Sequence, residues 1–84
     1  MNEAREVLWF FEPQYPGAYQ PGSFHHALMQ AMARADHENM GKLMLAFPAL
    51  GRWFYVAKNV DGGLEDLKMY VEEMDADRAE HQST

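Results

Sequence analysis

Apolar positions recur along this chain at helical rather than strand spacing. The longest unbroken case is Phe24, Ala27, Leu28, Ala31, Met32 and Ala35, which follows i, i+3, i+4, i+7, i+8, i+11 without a miss. It predicts one continuous face of a helix that begins near Ser23, an acceptable N-cap. Met40, Leu43, Met44 and Phe47 repeat the spacing in a further helix, with Asp36 placed as its cap and a break expected at "ADHEN". Leu50, Trp53, Phe54 and Ala57 mark another over about Ala49 to Asn59, and Leu67, Val71 and Met74 the last, from Leu64 to about Asp77. Ahead of these, a short helix from Glu3 to about Glu12 is expected, with Asn2 as N-cap and acids in the first turn, where the helix dipole favours them.

The punctuation agrees with this division. Pro13 ends the first helix, and Pro16-Gly17 and Pro21-Gly22 mark a loop over residues 14–22. Phe47-Pro48 is a boundary by sterics, because proline disfavours helical geometry in the residue before it yet fits the first position of a new helix. "NVDGG" is the clearest turn. No segment alternates as a strand would, so the expected fold is all-α: a compact bundle of about five short helices in one domain over residues 1–78, with 79–84 a fraying tail.

The segment "LWFFEPQYPGAYQPGSF", residues 8–24, holds six of the eleven aromatics and three of the four prolines. A proline-rich loop leaving a short helix commonly uses its rings to cover a small core. Tyr15 and Tyr19 are therefore expected to form a strap, with a recognition surface as the lesser alternative.

Composition narrows the functional classes. Eighty-four residues make a small domain with a thin margin of stability, and seven methionines supply adaptable packing. The absence of cysteine excludes disulfides, thiolate metal sites and a cysteine nucleophile. The N-terminus has no secretory pattern, and the charge-free run of residues 13–33 contains prolines, glutamines and histidines that hydrocarbon would reject. A membrane role is not expected, and a cytoplasmic location is. The net charge is −6 and the basic residues are scattered, which argues against nucleic-acid binding. Residues 65–84 hold seven acids against Lys68 and Arg78, leaving a net −1 for the rest.

Catalytic signatures are missing. Ser23 reads as a cap, Ser83 and Thr84 are terminal, and the acids fall mostly on outward faces, so an enzyme is not expected. His25 and His26 diverge by about 100° on a helix and cannot chelate one ion together, and His37 and His81 are remote in sequence. No phosphate-binding glycine motif occurs; Gly62-Gly63 has no basic partner and reads as a turn. No cofactor or metal is expected.

With each main stripe turned inward, one large apolar residue per helix is left near the opposite side: Trp9, Met29, Leu45, Tyr55 and Met69. Trp and Tyr dominate energetic hot spots at protein interfaces, and each here has an arginine near its face. Trp9 with Arg5 and Tyr55 with Arg52 are thus the expected partner-binding residues of a non-enzymatic protein–protein interaction module. Burial of the surplus apolar face in a symmetric homodimer is one alternative. Mimicry of nucleic acid by Glu72, Glu73, Asp75 and Asp77, to inhibit a DNA-binding protein, is another.

The string "YQPGSFHHALMQAMARADHENMGKLMLAFPAL" carries the pattern P-G-S-F-x-x-A-L, then R-A-D-x-x-N, then L-x-x-x-F-P-x-L. Over Tyr19 to Leu50 it resembles small helical proteins encoded by bacteriophages and prophages of Gram-positive and actinobacterial hosts. The pattern contains no catalytic motif and carries over no functional residue. What the resemblance implies is a small accessory protein acting in the host cytoplasm by binding a host or phage protein.

Overall fold

A computed structural model describes residues 2–82, with side chains described through residue 77. Five α-helices follow one another: α1 Glu3–Phe11, α2 Ser23–Arg34, α3 His37–Ala46, α4 Pro48–Asn59 and α5 Gly63–Gln82. No strand occurs among the described residues. The chain breaks at Ala35–Asp36, where the Asp36 carboxylate accepts the Asn39 N–H at 2.8 Å, satisfying one of the orphan donors of α3. Pro48 opens α4, as its fixed φ and missing N–H favour. Two expected caps differ. Asn2 makes no side-chain cap; its carbonyl instead accepts the Glu6 N–H at 2.9 Å. Gly22 takes the N-cap position of α2, and Ser23 is already helical. The last helix begins at Gly63 and runs to Gln82, beyond the expected end at Asp77, while Ser83 and Thr84 of the expected tail lie outside the described residues.

Helix α4 is the hub and packs against all four others. Its Phe54 is fully buried, with ring centroids 5.3 Å from Phe10 and 5.2 Å from Phe11. Around it close Ala4, Val7 and Leu8 of α1, Met29 and Met32 of α2, Met40 of α3, and Leu67 and Val71 of α5. Three of these are methionines, whose flexible side chains fill gaps that branched residues could not. Trp53, expected inward, is half-buried and lies against Tyr70 of α5, ring centroids 4.7 Å apart.

Helix α2 is rotated relative to its sequence stripe. Met29, expected on the outer side, is fully buried beside Met32, whereas Phe24, Ala27 and Ala31 of the unbroken stripe are exposed. The physical reason is side-chain volume. Three of the stripe's six residues are alanines, and turning Met29 and Met32 toward α4 removes more apolar area from water.

The α4–α5 connection depends on two glycines. Gly62 adopts φ 73°, and Gly63 is buried so closely against the Val56 carbonyl that a Cβ there would overlap backbone. Helices α4 and α5 can therefore lie side by side from the first turn of α5.

Candidate interaction surface

Residues 14–22 form a strap. It turns back across α1 and α5: the Tyr19 N–H donates to the Arg5 carbonyl at 3.2 Å, and Pro21 is buried. Gly17, at φ 92°, crosses α5 where a Cβ would meet Val71 Cγ1 at 2.8 Å. Its carbonyl accepts Arg5 Nη1 at 3.0 Å. Arg5 also donates Nη2 to Asp75 Oδ1 at 2.6 Å and lies 4.9 Å from the centroid of the Tyr19 ring. Only 5% of Arg5 is exposed. This corrects its expected role as a partner contact beside Trp9, because its donors are committed to strap, ring and α5 inside the molecule.

A second anchor lies one turn away. The Tyr15 hydroxyl donates to Glu72 Oε1 at 2.9 Å, its ring centroid is 5.1 Å from Lys68 Nζ, and Lys68 pairs with Glu12 at 2.5 Å. Hydrogen bonding to the Glu72 carboxylate raises the Tyr15 pKa above its ordinary 10.0, and hydrogen bonding to Glu12 raises that of Lys68 above 10.5. Both groups hold their protons more tightly folded than unfolded. The stability they contribute is thus fully present below about pH 10 and lost as pH rises through the folded values. Melting temperatures recorded from neutral pH into the alkaline range should hold to about pH 10 and then fall. Replacing Tyr15 by Phe and Lys68 by Met should flatten part of that fall; an unchanged alkaline slope would separate the strap from the titration.

These anchors use two of the four carboxylates that nucleic-acid mimicry would require, Glu72 and Asp75. The histidines also separate: His25 Nδ1 lies 2.6 Å from Glu6 Oε1, whereas the His26 ring meets Trp9 edge-on at 5.7 Å. His81 lies outside the described side chains. Among the described residues no group of three or more His, Asp or Glu could hold a metal ion.

The expected contact residues are dispersed. Trp9 is half-buried against His26 of α2. Tyr55 is half-buried against the core, beside a cleft of about 220 Å³ at the α2–α3 corner. Arg52 is exposed and makes no ion pair among the described residues. No ring contact joins Trp9 to Tyr55.

What the fold does assemble is an open groove of about 560 Å³ between α2 and α3. One wall is the C-terminal end of the α2 stripe, exposed Ala31 and half-buried Ala35, and Leu43 lies on the other. Outside the groove, at the N-terminal end of α2, Phe24 is 62% exposed, with its ring 5.8 Å from that of Phe47. Arg34 and Lys42 stand at the rim, Asn39 is the remaining polar lining residue, and no carboxylate lines the groove. Sequence periodicity placed Ala31, Ala35 and Leu43 inward; Ala35 and Leu43 do pack against the core, whereas Ala31 is exposed. The alanine content of the stripe was the available signal that it could stay outside.

No helix of the described residues is long and apolar enough to cross a membrane. Compared with protein-family models, curated proteins and solved structures, the chain matches none.

Proposed function

We propose that this chain is a non-enzymatic protein–protein interaction module whose docking surface is the α2–α3 groove. The observation that carries the reading is the exposure of half of the chain's most continuous apolar stripe: Phe24, Ala27 and Ala31 stay in contact with water while Met32 of the same stripe joins Met29 in the core. A small-residue wall facing Leu43 suits an α-helix laid along it, because alanines let the incoming helix approach closely. The two rim cations favour an occupant with carboxylates flanking its apolar face. That the partner is a host or phage protein, met in a host cytoplasm, rests on the resemblance over Tyr19 to Leu50.

Affinity capture from a lysate of a Gram-positive host, with captured proteins identified by mass spectrometry, tests the surface. Ala31→Glu places a carboxylate on the groove wall, and Ala27→Glu adds a second one turn earlier on the exposed side of α2, so that the pair counters the rim charge. It should reduce capture at least about tenfold, a loss of roughly 1.4 kcal/mol or more, while leaving the helical circular dichroism intact. A fold-retaining loss seen only with Trp9→Ala and Tyr55→Ala would move the contact to the outer faces of α1 and α4. Capture indifferent to both variants would remove both surfaces.

A further inference from the structure

The groove has a counterpart elsewhere on the same chain. On the outer line of α5, Met69 is 57% exposed, and Ala76 follows two turns later on the same side. Glu72 and Glu73 flank this ridge, and Glu72 is held in place by the Tyr15 hydroxyl. The ridge is therefore a short apolar line between carboxylates, spanning about 10 Å from Met69 to Ala76 at the helical rise. The α2 wall of the groove, from Ala31 to Ala35, spans about 6 Å by the same rise and can receive the Met69 end of the ridge.

Charge is divided in the same sense. Residues 24–60 hold four basic and two acidic side chains, a net +2 in a chain of net −6, whereas residues 61–84 hold eight acidic against two basic. Arg34 makes no ion pair among the described residues. Lys42 has only Glu38, at 3.7 Å with both side chains at least 70% exposed, a pairing that gives up little when exchanged for another.

From this complementarity we infer that the groove receives the α5 ridge of a second copy of this chain, Met69 seating between α2 and α3 while Arg34 and Lys42 meet Glu72 and Glu73. The inference rests on the reading of the groove as a docking surface and names its occupant. Among the described residues α5 packs on α4 and α1 and touches neither α2 nor α3, so a chain cannot fill its own groove. The contact joins two different surfaces, and each added copy offers a fresh groove or ridge.

Sedimentation equilibrium of the purified chain over about 10 μM to 1 mM tests it. The weight-average mass should rise from the 9.7 kDa protomer toward and beyond twice that value. Arg34→Glu with Lys42→Glu makes groove and ridge both acidic; Glu72→Lys with Glu73→Lys makes both basic. Each variant alone should associate at least about tenfold more weakly, and their equimolar mixture should regain association, because each supplies the surface the other lacks. A monomer throughout the range would overturn the second copy as occupant, as would association indifferent to both charge variants. If that monomer still loses partner capture on Ala27→Glu with Ala31→Glu, the groove remains a docking surface for a foreign helix. If capture is also unaffected by that variant, the groove reading falls with it.

Discussion

Phe54→Ala should cost about 3–5 kcal/mol and leave the chain largely unfolded at 37 °C. The residue has no exposed area, and its ring meets both Phe10 and Phe11 at the centre of the helix that every other helix touches. Alanine would leave a cavity bordered by α1, and the partly buried aromatics around it would lose their packing partner. A domain of 84 residues starts from a total of roughly 5–15 kcal/mol and sits toward the lower end, so one such cavity consumes most of the margin. Urea unfolding followed by circular dichroism checks the figure. Phe54→Leu, which preserves much of the volume, should cost under about 1.5 kcal/mol. A loss below about 1 kcal/mol for the alanine variant would place the centre of the core elsewhere.

Arg5→Met should cost about 2–3 kcal/mol, the second-largest effect. Arg5 donates to Gly17 and to both oxygens of Asp75 and lies over Tyr19, so its removal disconnects the strap from α5 at one point. Hydrogen bonds to charged groups are worth roughly 1.5–3 kcal/mol each. The sum is discounted here because the Asp75 side chain is 46% exposed and solvent screens the pair. Arg5→Lys should recover only part of the loss, since a point charge cannot reach Asp75 and the Gly17 carbonyl as a planar fork does. Proteolysis near Tyr19 should quicken in Arg5→Met, because the freed strap exposes its backbone. A stability equal to wild type would contradict the structural role of Arg5.

The helices and most of their boundaries were legible in the sequence because local rules set them, whereas the end of α5, which no proline or glycine marks, lies at Gln82 and not at the expected Asp77. Pro13, Asp36, Pro48 and the Gly62 turn act on their own neighbours, and each falls where the chain changes direction. The rotation of α2 was not legible. Periodicity reports that a face is apolar, and in α2 both the stripe and the Met29 side are apolar enough to be buried. The decision belongs to α4, where Phe54 and Leu50 present a surface that long methionine side chains fill better than alanines. Arg5 was misplaced for a related reason. Its partners Gly17, Tyr19 and Asp75 are brought to it by the strap and by α5, from as far as 70 residues along the chain. Leu45 and Met69, read as outward, are 86% and 57% exposed, because each lies opposite a stripe that does face a neighbour.

The central claim is that the Ala27 and Ala31 side of α2 is open surface and not core, and the most direct measurement is the thermal melt of the Ala27→Glu, Ala31→Glu variant. With both positions in contact with water, the two substitutions carry only the small difference in helix propensity, under about 1 kcal/mol together, and the melting temperature should stay within a few degrees of wild type. A fall of about 15 °C or more, the signature of carboxylates forced into an apolar interior, would return the stripe to the core and contradict the account.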